Sequence, residues 1–310
     1  MSEKHVVAAA QVAPAFLDMP ATIDIAVHRI KEAGKQGVQL LVFPETWIPG
    51  YPVWLDYSPG SALWGYPPAR RIFRCLMENS PQLNSDEIKR LCAAAAEADL
   101  TLVMGLHERD GNTLYNTMLY ISHEGEILGT HRKLVPTFAE RLLWGRGDGS
   151  TLTVVETPLG RLGGLVCWEH WMPLARQAMH EKREVIHAAV WPSVEENHLL
   201  ASRAYAFEGR CFVIAVGGIL RREHFPQGLE LLDQITSDGP YLTGNSVIIA
   251  PTAEIIAGPA GLNEGLLTAE IDLGLIAEEA MTLDVCGHYA RPDVFTLLVN
   301  ETPQKGQQTY

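Results

Sequence analysis

The sequence predicts an α/β fold with mixed sheets, on three observations. Apolar, strand-like runs alternate with amphipathic helical stretches along most of the 310 residues. Several of those runs are apolar at every position, as expected of central strands covered on both faces. Hairpin signals interrupt the strand–helix–strand rhythm, so the sheets cannot be purely parallel. The two halves of the chain also look alike. Each reads as strand, helix, strand, with a reactive side chain at a strand's end.

Taken in order, Val6-Val7-Ala8-Ala9-Ala10-Gln11-Val12 reads as a buried strand. A helix follows with Ile23, Ala26, Val27, Ile30 and Ala33 on one face, and Gly34 is placed to cap its end. Residues 38–43 form an almost wholly apolar run that stops at Pro44-Glu45-Thr46. Residues 47–81 hold Trp47, Tyr51, Trp54, Tyr57, Trp64 and Tyr66, so they read as an ordered insertion near a pocket, with a short helix over 69–78. Ser85 caps a helix with Ile88, Leu91, Cys92 and Ala95 on one stripe, which assigns Cys92 to the core. Residues 101–106 read as a strand. Residues 114–121 and 126–131 form a hairpin that turns at His123-Glu124-Gly125 and delivers Arg132-Lys133.

A looser stretch over 134–150 precedes strands near 152–156 and 161–166. After Cys167 the pattern gives a helix over 172–182, a strand over 185–190, a helix over 196–209 and a strand over 212–216. Residues 217–244 are polar and contain Gly and Pro, the signature of a long surface loop. Residues 246–250 and 254–257 suit a hairpin, 266–271 a strand and 273–281 a helix. Beyond Arg291 only residues 294–299 carry a pattern.

Composition narrows the function classes. Hydrophobic content of 47% and charged content of 20% are those of a globular protein. With 24 basic and 37 acidic residues the net charge is −13, which argues against nucleic acid or an anionic membrane as partner. No apolar run approaches membrane-spanning length, and the start, Met1-Ser2-Glu3-Lys4-His5, lacks a signal-peptide pattern. Five scattered cysteines, Cys75, Cys92, Cys167, Cys211 and Cys286, show neither metal-ligand nor redox-motif spacing, which suits a reducing cytoplasm. Neither a P-loop nor a dinucleotide-binding, zinc-protease or serine-hydrolase motif occurs.

The chemistry centres on Gly163-Gly164-Leu165-Val166-Cys167-Trp168-Glu169-His170, where an apolar strand ends abruptly at a thiol. Backbone N–H groups of the turn, and a helix behind it, are expected to favour the thiolate. Cys167 alone also fits plain core packing, Glu45 a solvated turn, and Lys133 beside Arg132 a solvated charge. Together they make the set that acyl transfer requires: thiol nucleophile, carboxylate base and cationic stabiliser. Carboxyl ends of strands converge on the ligand crevice of an open α/β sheet, which gives the three a place to meet.

Phe43-Pro44-Glu45, His131-Arg132-Lys133-Leu134-Val135-Pro136-Thr137 and Cys167-Trp168-Glu169-His170-Trp171-Met172-Pro173-Leu174 resemble the Glu, Lys and Cys blocks of the nitrilase superfamily. Cys167-Trp168-Glu169-His170 resembles the nitrilase branch itself, Phe138-Ala139-Glu140-Arg141 is similar to that branch's second-glutamate block, and Gly287-His288-Tyr289-Ala290-Arg291-Pro292-Asp293 resembles a late nitrilase segment. The resemblance runs from about Val6 to Phe295. It implies one carbon-nitrogen hydrolase domain over 1–295 with a short tail over 296–310, folded as a four-layer αββα sandwich with two mixed sheets. It also implies a site that needs no cofactor or metal, and protomers that pair across a helical layer into a homodimer or a larger spiral or filament.

The expected reaction is hydrolysis of a small-molecule nitrile to acid and ammonia. Cys167 acts as nucleophile, Glu45 as base, and Lys133 with the Trp168 N–H as stabiliser. Lys133 is also expected to help lower the Cys167 pKa. Glu140 is expected to hydrogen-bond Lys133 or the water, or else to pair with Arg141. Trp168 and Trp191 are candidate pocket walls, or plain packing, and Tyr51 and Trp54 are candidate substrate-shaping residues on the same footing. His170 reads as structural. An amidase or carbamoylase uses the same three groups, and a cyanide hydratase or dihydratase resembles nitrilases around Cys167. Trp168-Glu169 favours the nitrile branch over the amide one. A non-catalytic binding protein would not need the complete reactive set, and a zinc site is disfavoured by the scatter of His and Cys. The chain departs from the longer nitrilases in ending soon after Phe295, which bears on filament length. Its compact 191–211 segment bears on substrate preference.

Overall fold

The computed structural model describes residues 4–304. The first half runs β1 (Lys4–Gln11), α1 (Met19–Lys35), β2 (Leu40–Val42), α2 (Trp54–Tyr57), α3 (Pro67–Glu78), α4 (Asp86–Ala98), β3 (Thr101–Asp110), β4 (Thr113–Ile121) and β5 (Ile127–Arg132). The second runs β6 (Val155–Thr157), β7 (Gly160–Val166), α5 (Pro173–Glu181), β8 (Ile186–Trp191), α6 (Glu196–Gly209), β9 (Phe212–Gly217), β10 (Ile219–Leu220), α7 (Glu230–Asp233), β11 (Leu242–Thr243), β12 (Val247–Ile249) and β13 (Ile255–Ala257). The chain then returns as β14 (Gly265–Asp272) and ends its regular structure with α8 (Gly274–Ala280).

One six-stranded sheet has the order β14-β1-β2-β3-β4-β5, and the other β13-β12-β9-β8-β7-β6. Both are mixed, with two parallel pairings at the centre of each. Side chains alternate across β1. Val7 and Ala9 join the core between the sheets, while Ala8 and Ala10 face Ile23, Ala26 and Ile30 of α1 and Leu91 and Ala95 of α4. β7 does the same for the second sheet. A Cβ on Gly164 would press on Met118 of the first sheet, and one on Gly163 on Met179 of α5. The layers are therefore α1 and α4, sheet, sheet, then α5 and α6: an αββα sandwich.

Three expectations from the sequence need correction. Gly34 lies inside α1, which runs on to Lys35 with Gln36 as its C-cap. It is needed for packing, since a Cβ there would stand 2.9 Å from Ala98 Cβ. Residues 217–244 are not a surface loop: Leu220, Leu231, Leu232, Ile235 and Leu242 are buried with Phe16, Trp54 and Leu76 in a third apolar cluster. The polar composition hid apolar residues spaced for packing against the aromatic insertion of residues 47–81. Cys92 is only half-buried, at the edge of the α1–α4 core. The sequence reading also missed that residues 101–110 turn at Gly111-Asn112 into β4, a tight hairpin signalled by Asp110-Gly111.

The tail folds back. Gln304 N donates to Asp148 Oδ2 (2.7 Å), and Lys182 pairs with Glu301 (2.6 Å). Residues 305–310 of the expected tail, and Met1-Ser2-Glu3, lie outside the described residues. Among the described residues no helix is long and apolar enough to cross a membrane.

Candidate active site

Local backbone geometry delivers the reactive side chains. Glu45 follows β2, Lys133 follows β5, and Cys167 follows β7. Glu140 sits in a 3-10 turn over Phe138–Leu142, and Cys167 opens another over Cys167–Trp171. Three non-glycine residues beside or at these groups have left-handed backbones: Thr46 (φ 44°), Phe138 (φ 43°) and Cys167 (φ 54°). Such a conformation costs roughly 1–2 kcal/mol per residue and persists only where the surroundings enforce it. One enforcing contact is Gly105: a Cβ there would stand 1.9 Å from the Pro44 carbonyl oxygen, so only glycine lets β3 pass the Glu45 turn.

The four groups meet. A carboxylate oxygen of Glu45, one of Glu140 and Sγ of Cys167 all lie within 4.8 Å of one another. Lys133 Nζ donates to Glu45 Oε1 (2.9 Å) and to Glu140 Oε2 (2.7 Å). The ammonium thus fills the place a cation would take between two carboxylates. Asn116 Nδ2 also donates to Glu45 Oε1 (2.6 Å), and Tyr51 OH donates to Glu140 Oε1 (2.9 Å). Thr137 N donates to Glu140 Oε2 (2.5 Å). Glu140 is therefore tied to Lys133 rather than to Arg141. Glu45 Oε2 is buried without a hydrogen-bond partner among the described residues, which leaves it open as a proton acceptor.

Burial sets the electrostatics. It pushes Glu45 up to about 7, against the pull of Lys133. Burial disfavours the Lys133 ammonium, but its neighbours Cys167, Glu45 and Glu140 outweigh this and hold its pKa above the ordinary lysine value. Burial also pushes the Cys167 thiol well up, and Glu45 adds to it. Lys133 and the Trp168 N–H pull the other way without reversing it. The expected stable thiolate is thus corrected. The sulfur keeps its proton at rest, because desolvation and two carboxylates outweigh one ammonium, and needs a neighbouring base to lose it.

Sequence reasoning missed the residues that fasten this cluster. Glu169 Oε1 accepts from Leu134 N (2.7 Å), and Glu169 Oε2 accepts from Val166 N (2.7 Å) and His131 Nε2 (2.8 Å). One carboxylate therefore clamps the residue after Lys133 to the residue before Cys167. Burial pushes Glu169 up, but His131 and the backbone donors hold it below the usual carboxylate range. Burial likewise opposes charge on His131, and Glu169 raises it above the usual histidine value. Asn116 left a trace in the sequence, as the one amide in a largely apolar strand.

Cys167 and Glu140 line a cavity of ≈ 290 Å³, with Glu45 and Lys133 buried behind them. Tyr51 and Trp168 also line it, Trp168 being 48% exposed. Leu55, Asp56 and Tyr57 of the aromatic insertion and Glu195 and His198 of the 191–211 segment add walls, together with Phe138, Tyr241 and Leu242, which the sequence did not reveal. Trp54 and Trp191 do not line the cavity and take the packing alternative. Trp54 is buried in the third apolar cluster against Phe16. Trp191 is buried between His170 and His198, stacked on each with ring centroids 4.6 Å apart.

Sequence and fold comparisons give the family. A family model described as carbon-nitrogen hydrolase matches residues 6–280. The chain belongs to the carbon-nitrogen hydrolase family. It is 39% identical over 302 residues to an aliphatic nitrilase of Sinorhizobium fredii (strain HH103), covering 97% of each chain. It is 40% identical over 300 residues to the bifunctional nitrilase/nitrile hydratase NIT4A of Lupinus angustifolius, covering 94% of this chain and 85% of that one. Saccharomyces cerevisiae Nit3, from branch 10 of the nitrilase superfamily, shares the carbon-nitrogen hydrolase fold. The TM-score is 0.72 at 21% identity, over 93% of this chain and 97% of that chain.

Proposed function

We propose that the protein is a nitrilase, which converts R–C≡N and two waters to R–COOH and ammonia. The observation that carries this reading is the meeting of Glu45, Lys133, Glu140 and Cys167 at one cavity, in a chain about 40% identical to nitrilases. Glu45 takes the Cys167 proton as sulfur adds to the nitrile carbon, and the nitrogen is protonated to give a thioimidate. A water activated by Glu45 adds to that carbon, the C–N bond breaks, and ammonia leaves a thioester. A second water adds, the C–S bond breaks, and the acid departs with the proton returned to sulfur. Lys133 and the Trp168 N–H stabilise negative charge as it forms on nitrogen or oxygen, and Glu140 with Tyr51 holds Lys133 in place. Trp168 and Tyr51 contact the substrate from the cavity wall. The small size of the cavity, and its floor closed to solvent, strengthen each of these terms.

Residues 1–295 act as one catalytic unit in this reading, supported by the return of β14 to pair with β1, and residues 296–310 are an appendage. A homodimer or larger assembly is supported by exposed Leu174 on α5 beside exposed Tyr289 and Phe295. Free cysteines throughout support a cytoplasmic setting. The test offers one aryl nitrile and its amide side by side, with ammonia and acid as readouts. Equal release of both products from the nitrile, with slower attack on the amide, is expected. Faster turnover of the amide, or undiminished nitrile turnover by Cys167→Ala, overturns the reading.

A further inference from the structure

Behind Cys167, away from the cavity, lies a buried chain that the reaction scheme leaves unused. His170 Nδ1 lies 2.7 Å from the Cys167 carbonyl oxygen, and His170 Nε2 lies 3.0 Å from His187 Nε2. His187 Nδ1 lies 3.0 Å from Glu184 Oε2, and Tyr205 OH donates to Glu184 Oε1. All four side chains are buried.

The positions of the hydrogens follow from the partners. A carbonyl oxygen only accepts, so His170 Nδ1 carries a hydrogen. With His170 neutral its Nε2 accepts, and His187 Nε2 carries the next hydrogen. His187 Nδ1 then offers a lone pair to Glu184, so the hydrogen between them belongs to the carboxyl group. Every donor in the series points toward the nucleophile, from Tyr205 through Glu184, His187 and His170 to Cys167. If Glu184 ionises, a carboxylate faces the His187 lone pair. Both rings must then reverse their hydrogens, which turns the His170 lone pair against the Cys167 carbonyl.

We propose that Glu184, His187 and His170 are positioning residues whose single directed line of hydrogens holds the left-handed Cys167 turn, and that ionisation of Glu184 releases it and sets the alkaline limit of the enzyme. The proposal rests on the nitrilase reading of Cys167. Glu184 can exchange its proton because it also lines a second cavity, of ≈ 140 Å³, with His180, Arg183 and Arg210. The electrostatics agree. Burial pushes Glu184 up to about 7, with His180 and Tyr205 pulling it down, and burial lowers His170 to about 3 and His187 well below its usual value.

Apart from Tyr205 at its start, the other titratable and charged groups facing the chain lie outside this line of hydrogens. His180 on α5 pairs with Glu208 on α6 at 3.7 Å. Tyr205 on α6, Cys211 before β9 and Tyr120 on β4 are all pushed up by burial and stay neutral. His131 and Glu169, which face His187, pair with each other, Glu169 raising His131 and His131 lowering Glu169. Arg176, near His170, pairs with Glu208.

The test is kcat/KM for one nitrile across about pH 5 to 9.5, alongside the rate of Cys167 alkylation by iodoacetamide, which needs no nitrile chemistry. Glu184→Gln keeps a donor for His187 and an acceptor for Tyr205 but cannot ionise, so its alkaline limb moves up by at least about one pH unit. Glu184→Ala supplies no donor and loses about tenfold or more at every pH. Tyr205→Phe removes a bond that favours the Glu184 carboxylate, so its limb also moves up, and it carries the test if Glu184→Gln does not fold. A limb unmoved in Glu184→Gln, or in Tyr205→Phe where that variant is needed, overturns the proposal and leaves the nitrilase reading standing. Nitrile turnover by Cys167→Ala would instead sink the nitrilase reading.

Discussion

The two halves of the molecule are built on one plan and do different work. Read from β14 and from β6, both sheets pair antiparallel, parallel, parallel, antiparallel, antiparallel. β1, β2 and β3 thus correspond to β7, β8 and β9, and Val42-Phe43-Pro44-Glu45 corresponds to Val190-Trp191-Pro192-Ser193. Even the close approaches repeat: a Cβ on Gly105 would meet the Pro44 carbonyl, and one on Gly218 would lie 3.3 Å from the Pro192 carbonyl. What differs is the residue at equivalent strand ends. The register places Ala10 opposite Cys167 in the comparison, and Ser193 opposite Glu45. The first half supplies the ionising groups Glu45, Lys133 and Glu140. The second supplies the sulfur and a neutral hydrogen-bonded support behind it. A shared frame fixes where side chains converge, and a few identities decide what happens there.

Removing the one reactive group of the second half has the largest effect. Cys167→Ala leaves the Glu45–Lys133–Glu140 cluster in place yet removes the covalent route, so turnover falls by at least about 10³-fold. Ammonia release measures it, and thermal unfolding checks the fold. Residual turnover above about a tenth of wild type would mean that the first half performs the chemistry alone.

The next prediction breaks the first half. Glu45 is the base only when ionised, and burial places its pKa at about 7. The fraction of competent enzyme therefore rises with pH through that value, giving an acid limb in kcat/KM. Glu45→Gln keeps the shape but accepts no proton, so activity drops by about 10² to 10⁴ and the residual rate loses that limb. A residual rate with the wild-type acid limb would move the base role to Glu140.

Much of this was legible in the sequence, and the gaps have physical causes. The run read over 38–43 holds β2, and the run over 161–166 lies within β7, because covered strands are largely apolar; residues 196–209 read correctly as a helix. The convergence of Glu45, Lys133 and Cys167 could be anticipated because all three end strands. The clamp by Glu169 and the chain through Glu184 could not. A buried carboxylate or histidine looks like a surface one until its partners, which lie tens of residues away, are known. Trp54 and Trp191 could not be assigned from the sequence, since an indole suits a cavity wall and a core equally.

The smallest predicted effect tests whether the repeat carries chemistry at Ser193 as it does at Glu45. Ser193 lines the cavity, and its Oγ accepts from Thr243 N (2.9 Å) in the segment that also brings Tyr241 and Leu242 to the wall. In Ser193→Ala the Thr243 N–H loses its acceptor, a loss of about 1 kcal/mol. For a chain of this size that lowers Tm by about 1–2 °C. The wall shifts slightly, so KM changes by about threefold or less while kcat holds, because a change in uniform binding leaves the chemical step alone. A fall in kcat of more than about tenfold would show that both Pro-X steps touch the reacting atoms, and that the division of labour between the halves is not the one drawn from their side chains.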